Sequence, residues 1–206
     1  MHLHIVQSID IKDGGGLGEA ALNLHKSFLK KCKNKNPQEK GEIKNNLERK
    51  ISNFNSYLIT TSTKSKVNYE EGIIQGKRYG PKQFFYSPEL KKITSEILKN
   101  TQWVNCHGFY VWPNMWIGNE VAKRNLNLIY HPHGFFDPWI LKRSKIKKYI
   151  AKILFENNNF KNVKWWRALT HKEALQIRET IGNDVDVKVI PNGINLEEID
   201  NILLKK

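Results

Sequence analysis

Short apolar runs alternate with helical patterns along this chain, and this alternation restricts the fold more than any other feature of the sequence. Residues 3–9 and 126–130 are two such runs, and each is followed by a turn and then by a helical pattern. A strand followed by a helix, repeated along a chain, is typical of a parallel sheet with helices on both faces. The sequence therefore predicts an α/β fold with one doubly wound, Rossmann-like parallel sheet.

The length and charge of the chain set further bounds. Its 206 residues suffice for one sizeable core, which we place in residues 1–193, with a polar insertion at about 33–50 and a short tail at 194–206. The formal net charge of +14 favours an anionic partner, such as nucleic acid, acidic lipid or a phosphorylated ligand. Because no nucleic-acid-binding motif accompanies this charge, we expect no nucleic-acid partner.

Neither a membrane span nor a disulfide framework is expected. No apolar run approaches the ~20 residues that cross a bilayer. The first residues enter a strand without a cleavable signal, which favours a cytoplasmic protein. The two cysteines, Cys32 and Cys106, do not form a CxxC motif.

Residues 131–139, His-Pro-His-Gly-Phe-Phe-Asp-Pro-Trp, directly follow the predicted strand at 126–130. Ligands of open parallel sheets bind outside the carboxyl ends of the strands, so two imidazoles and a carboxylate are well placed there. The alternative is a rigid turn in which Asp137 caps a helix that Pro138 opens. The stretch alone leaves both interpretations open.

Residues 14–18, Gly-Gly-Gly-Leu-Gly, form a predicted glycine turn between the first strand and a helix. Backbone N–H groups in such a turn approach an anion at the positive end of the helix. Gly16, Gly18 and Ala21 also fit a relaxed dinucleotide fingerprint. The acidic residue expected about 20 positions later is missing, so a nicotinamide cofactor is not favoured.

Residues 138–155 predict an amphipathic helix with one strongly basic face. Its lysines at helical spacing are Lys142, Lys145, Lys148 and Lys152. Basic amphipathic helices bind anionic membranes, but a solvated basic face has the same pattern. The sequence leaves these two possibilities equal.

Four segments, in this order, resemble the N-terminal half of a family 4 glycosyltransferase of the GT-B fold. They are Gly15-Gly16 with the Ala-Ala-Leu-Asn-Leu helix, Val104-x-x-His107-Gly108-Phe109, the stretch 131–139, and Val189-Ile190-Pro191-Asn192-Gly193-Ile194. The resemblance implies two Rossmann-like domains facing each other across a cleft. The N-terminal domain would bind the acceptor, and the C-terminal domain would hold a nucleotide-sugar donor.

The resemblance also implies roles for particular residues. Gly15 and Gly16 would approach the donor diphosphate, and His133 would lie near the donor sugar as the catalytic residue. The implied acceptor-binding residues are His107, Phe109, Trp112 and Asp137. Family 4 enzymes retain the anomeric configuration and are generally metal-independent. His131-x-His133 with His107 is a partial set of zinc ligands, but no clear cysteine or carboxylate partner completes it, so we expect neither a metal nor another cofactor.

The sequence departs from the family pattern in one large respect. It stops just after the segment that links the first domain to the second. We therefore expect an incomplete or split enzyme of cell-surface polysaccharide or glycolipid synthesis. Its expected partners are a nucleotide sugar, a glycan or lipid-linked acceptor, a separate donor-domain chain and the inner face of an anionic membrane. The alternative is a non-catalytic module that binds sugar or lipid phosphate.

Overall fold

A computed structural model describes residues 1–33, 54–63, 68–142, 150 and 152–193. Its strands are β1 (His2–Ile5), β2 (Ser56–Ser62), β3 (Asn68–Glu70), β4 (Ile73–Lys77), β5 (Trp103–His107), β6 (Asn127–His131), β7 (Val163–Ala168) and β8 (Val187–Val189). Its α-helices are α1 (Ile11–Lys33), α2 (Pro88–Leu98), α3 (Trp112–Met115), α4 (Ile117–Arg124), α5 (Pro138–Lys142), α6 (Asn157–Lys161) and α7 (His171–Ile181). Apart from the consecutive strands β2–β4 and consecutive short helices such as α3 and α4, strands and helices alternate as predicted.

The described strands form one sheet in the order β3-β4-β2-β1-β5-β6-β7-β8. Seven of them run parallel, and β3 pairs antiparallel with β4 at one edge. The order reverses around β1, which lies between β2 and β5. Open α/β sheets bind their ligands at such a switch point. The predicted doubly wound parallel sheet is confirmed, and its switch point is at the carboxyl end of β1.

The core lies against both faces of the sheet, as expected for parallel strands covered by helices. All seven residues of β2 are buried, for example. Beyond the carboxyl end of β5, the Phe109 ring stacks on Tyr130 at a centroid distance of 5.0 Å. Tyr130 in turn stacks on Trp166 at 5.4 Å. Burial of a large apolar side chain contributes roughly 1.5–3 kcal/mol, so these aromatics anchor β5, β6 and β7 together.

Several local predictions need correction or lie outside the described residues. The strand β3 pairs antiparallel at the edge of a sheet predicted to be parallel, and Lys82–Phe84 forms a 3₁₀ turn. Within the predicted helix at 138–155, the described residues form two separate elements, α5 and the π-helical turn Lys152–Glu156. Lys145 and Lys148, most of the polar insertion and the tail at 194–206 lie outside the described residues.

The glycine turn lies inside α1 and does not precede it, which corrects the predicted boundary. Helical residues begin at Ile11, and the non-helical backbone of Gly15 (φ 52°, ψ −149°) divides α1 into two pieces. A left-handed φ with this ψ is open only to glycine in practice. A Cβ built on Gly14 would lie 2.0 Å from the Ser8 carbonyl oxygen, and one on Gly18 would lie 2.3 Å from it. Gly14 and Gly18 therefore let α1 pack on the chain leaving β1.

Candidate functional site

Five of the seven histidines form a continuous row beside the switch point of the sheet. The ring centroids of His25 and His4 lie 6.1 Å apart, and those of His4 and His107 lie 5.7 Å apart. The His107 ring stacks on His131 at 4.3 Å and lies 5.3 Å from His133. The topology explains this arrangement, because β1, β5 and β6 are neighbours, and His107 and His131 are register partners at their carboxyl ends.

His133 is held by a strained turn and by hydrogen bonds. Its φ is 53°, and Gly134 follows with a φ of 81°. The Gly134 N–H donates to the Glu173 carboxylate at 2.7 Å, and the same carboxylate accepts from the Leu169 N–H at 2.7 Å. Positive φ at a residue other than glycine persists only where the surroundings enforce it. Glu173 on α7 is therefore the group that fixes the backbone of the His133 turn.

Burial keeps the histidine row neutral. It lowers the pKa of His4, His107 and His131 well below the usual 6.5. The pKa of His133 falls to about 4, first because of burial and then because of the positive charge of Arg167. At neutral pH these imidazoles therefore act as hydrogen-bonding groups and carry no charge.

Gly15 and Gly16 lie on the same edge of the sheet as the histidines. A Cβ built on either glycine meets no atom within 4 Å, so this part of α1 faces open space. The neighbouring Leu17 reaches the exit of β5, since a Cβ on Gly108 would lie 3.0 Å from it. The structure thus brings Gly15, Gly16, His107 and His133 to one edge, where the sequence predicted a site.

The other predicted acceptor residues differ in their exposure. Phe109 is only 1% exposed and belongs to the hydrophobic core, so it does not line a groove, contrary to expectation. Trp112 is half-buried and packs edge-on against Tyr86 at a centroid distance of 5.2 Å. Asp137 accepts a hydrogen bond from the Trp139 N–H at 2.9 Å, which is the capping role foreseen as its alternative. Trp112 and Asp137 remain accessible to a ligand.

The basic face stays a prediction. Lys142 is exposed and Lys152 is half-buried, whereas the other two lysines of this face are not described. None of the helices in the described residues is both long and apolar enough to span a membrane.

Two buried charged residues near the site gave no signal in the sequence. The Glu156 carboxylate accepts hydrogen bonds from the Tyr110 N–H at 2.8 Å and from the Tyr130 hydroxyl at 3.2 Å. Its pKa is raised by burial. The Arg167 guanidinium donates to the carbonyl oxygens of Ile190 at 2.9 Å and Pro191 at 2.7 Å. Their partners are distant in sequence, so only the fold reveals these contacts.

Within the described residues, a metal ion could be held by one group, formed by His107, His131 and His133. One ligand atom from each lies within 4.8 Å of the others. However, Nδ1 of His107 and Nε2 of His133 share a hydrogen bond of 3.0 Å, and no carboxylate belongs to the group. The positive charge of Arg167 also acts on all three rings. These features favour hydrogen-bonded imidazoles over a bound cation.

Replacement of Glu173 by Gln tests how the His133 turn is held. The amide keeps one acceptor oxygen, so one of the two N–H groups at Gly134 and Leu169 loses its partner. Since hydrogen bonds to charged groups contribute about 1.5–3 kcal/mol each, the free energy of unfolding should fall by about that amount. Urea denaturation measures this loss. Glu179→Gln, at an exposed position of the same helix, is the matched control, and equal losses in both variants would contradict the assignment.

Comparisons with known proteins bear on the fold alone. No protein-family model and no curated protein matches the sequence. Among solved structures, the chain is similar to Alr3699/HepE of Anabaena, crystallised in complex with UDP and glucose, with a TM-score of 0.59 and 11% identity. The match covers 99% of this chain and 49% of HepE, so the chain spans about half the length of that protein. At this identity the likeness supports the Rossmann-like architecture predicted for one half of a GT-B protein.

Proposed function

We propose that this chain is the acceptor-side half of a retaining glycosyltransferase that uses a nucleotide-sugar donor. The observation that carries the proposal is the pairing, on one sheet edge, of an open glycine backbone at Gly15–Gly16 with the neutral, half-buried His133. The likeness to HepE, which was crystallised with UDP and glucose, supports this choice of ligand class. No cofactor is part of the proposal.

Gly15 and Gly16 would supply backbone N–H groups to the donor diphosphate. No side chain of their own blocks this approach, and the space around them is open. Such groups stabilise charge that develops on a leaving diphosphate without moving during the reaction. His133 would hydrogen-bond a sugar hydroxyl or the region of developing charge. The rate would come largely from holding donor and acceptor in the reacting geometry.

Trp112 and Asp137 would contact the acceptor, because both retain exposed surface near this edge. His107 is fully buried, so it would act through His133 and would not touch the acceptor itself. A net charge of +14 suits an anionic acceptor such as a glycan on a lipid diphosphate, at the cytoplasmic face of an anionic membrane. The donor site would be supplied by a second domain, either in a longer chain or in a partner chain.

The test is nucleoside diphosphate release with a lipid-linked acceptor, measured for this chain, for a donor-binding half and for both together. We expect transfer only from the combination. His133→Ala in the combination should lower kcat by ~10²–10³-fold, which is the loss typical of enzymes that lack one preorganised hydrogen-bond donor of the active site. His171→Ala, which removes an exposed histidine from α7, is the matched control.

Transfer by this chain alone, or equal rates with and without His133, would contradict the proposal. Binding of sugar by the combination with no transfer would instead favour the alternative of a non-catalytic binding module.

A further inference from the structure

We infer that His4, His107 and His133 form a hydrogen-bonded relay that fixes His133 as the tautomer with its proton on Nδ1. In this form His133 offers a hydrogen-bond donor to a ligand and no basic nitrogen. The functional consequence rests on the proposed function, whereas the tautomer is a property of this chain.

The first step is the geometry of the three rings. Nδ1 of His4 lies 3.4 Å from Nε2 of His107, and Nδ1 of His107 lies 3.0 Å from Nε2 of His133. A neutral imidazole has one N–H donor and one acceptor nitrogen. Each shared hydrogen bond therefore couples the tautomers of two rings. Only two arrangements satisfy both bonds: all three protons on Nδ1, or all three on Nε2.

The second step chooses between these arrangements at the inner end of the relay. Nε2 of His4 is buried and has no hydrogen-bond partner. With the protons on Nε2, this atom would be a buried N–H donor without an acceptor. With the protons on Nδ1, it would be a bare acceptor. Because orphaned buried N–H groups are rarer in proteins than under-satisfied acceptors, the Nδ1 arrangement is favoured.

Neighbouring groups do not compete with this arrangement. Nε2 of His25 lies 3.0 Å from the Glu71 carbonyl oxygen, so it must donate there, and its Nδ1 lies 2.9 Å from the Ser56 hydroxyl. Nε2 of His131 lies 3.1 Å from the side-chain oxygen of Asn105 and donates to it. His25 and His131 are therefore Nε2–H tautomers. Their NMR signals provide an internal reference for the Nε2–H tautomer.

Besides His25 and His131, the charged and titratable groups of the described residues that act on the three relay rings are His2 and Arg167. Both are cationic or become so on protonation, and like charges disfavour protonation of the rings. The three rings of the relay are therefore neutral, and the tautomer of each ring determines the tautomer of the next.

The consequence concerns the nitrogen that His133 offers to a ligand. Its Nε2 is occupied by His107, and its Nδ1 has no hydrogen-bond partner among the described residues. An Nδ1–H group can donate to a sugar hydroxyl, a glycosidic oxygen or a phosphate oxygen. It cannot accept the proton of an attacking acceptor hydroxyl. His4 and His107 are thus positioning residues that determine which kind of chemistry His133 can perform.

The test is ¹⁵N NMR of the whole chain with labelled histidine imidazoles, without any ligand and at neutral pH. One-bond and two-bond couplings identify which nitrogen of each ring carries the proton. We expect Nδ1–H for His4, His107 and His133, and Nε2–H for His25 and His131. Nε2–H at His133 would overturn the inference. Metal-shifted signals of His107, His131 and His133 that revert with a chelator would also overturn it.

Two substitutions at His4 test the coupling between rings. His4→Asp places an ionised carboxylate, which can only accept, in the place of the imidazole Nδ1, so His107 and His133 should shift toward Nε2–H. His4→Asn should keep Nδ1–H at His133, because the asparagine amide nitrogen can donate from the place of the imidazole Nδ1. His2→Leu, on the same strand and face, is the matched control and should change neither ring. An unchanged His133 in His4→Asp would overturn the relay.

These readouts need no substrate, so they separate this inference from the proposed function. An inactive combined enzyme with the expected tautomers would contradict only the proposed function. An active enzyme with Nε2–H at His133 would contradict only the relay.

Discussion

Between pH 6.5 and pH 5 the protein is expected to lose most of its stability. Burial depresses the pKa of four histidines in the folded protein, His4, His107, His131 and His133. The imidazoles of the unfolded chain therefore bind protons at about pH 6.5, whereas the same four imidazoles stay neutral in the folded protein. Each such proton costs about 1.4 kcal/mol per pH unit, and four cost about 5 kcal/mol per pH unit. A domain of ordinary stability, about 5–15 kcal/mol, should then unfold near pH 5.

The sign of each contribution can be stated. A depressed histidine pKa gives stability that is present above pH 6.5 and is lost as the pH falls toward the folded value, which is about 4 for His133. His2 and His25 act in the same direction. Glu156 acts in the opposite direction, because its raised pKa lets the folded protein take up that proton first. Glu156 therefore offsets the effect of at most one of the four histidine protons on the free energy of unfolding.

Urea denaturation at pH 7.5, 6.5, 6.0 and 5.5 measures this slope. His107→Gln removes one of the four groups and should lower the slope by about 1.4 kcal/mol per pH unit. His171→Gln, at an exposed position, should leave it as in the parent protein. A free energy of unfolding that stays constant from pH 7.5 to 5.5 would mean that the row is protonated in the folded state.

Gly14→Ala is expected to be strongly destabilising, whereas Gly16→Ala, two residues further on, is not. The Gly14 methyl group would lie 2.0 Å from a backbone oxygen of Ser8, and backbone cannot move away as a side chain can. The loss should reach or exceed the upper end of the ~1–3 kcal/mol typical of overpacking. The Gly16 methyl group would meet no atom within 4 Å. Alanine there gains up to ~1 kcal/mol of helix propensity.

Thermal unfolding of the two variants distinguishes these effects. Gly16→Ala should fold like the parent protein and, in the combined enzyme, weaken the proposed diphosphate contact by placing a methyl group in its path. It is therefore the variant with which to test the glycine backbone in transfer assays. Equal melting temperatures for Gly14→Ala and Gly16→Ala would show that α1 does not pack on Ser8 as described.

The sequence predicted the sheet well because parallel strands covered on both faces are continuous apolar runs. The run at residues 3–9 contains most of β1, and the run at residues 126–130 contains most of β6. The common edge of the glycine turn, His107 and His133 followed from the rule that parallel strands end at the same side of the sheet. The sequence therefore predicted that these residues share one edge of the sheet, and their role as a site stays a prediction.

Side-chain directions and distant partners could not be predicted in the same way. Phe109 follows a strand and resembles a groove residue, but Gly108 and Tyr110, both with positive φ, shape a turn that places its ring against Tyr130. Glu156 lies in a polar run that looks solvated. Its burial depends on Tyr110 and Tyr130, which lie 46 and 26 positions away. Such contacts arise only when the elements pack.

The two strands at the edges of the sheet, as far as the structure describes the chain, bear on the solubility of the folded protein. Both β3 and β8 are three residues long, whereas the strands between them have four to seven. Short edge strands and lysines on an edge limit the pairing of one folded molecule with another. The middle residue of β8 is the exposed Lys188. Aggregation on acidification should therefore begin from unfolded chains and not from edge-to-edge association of native molecules.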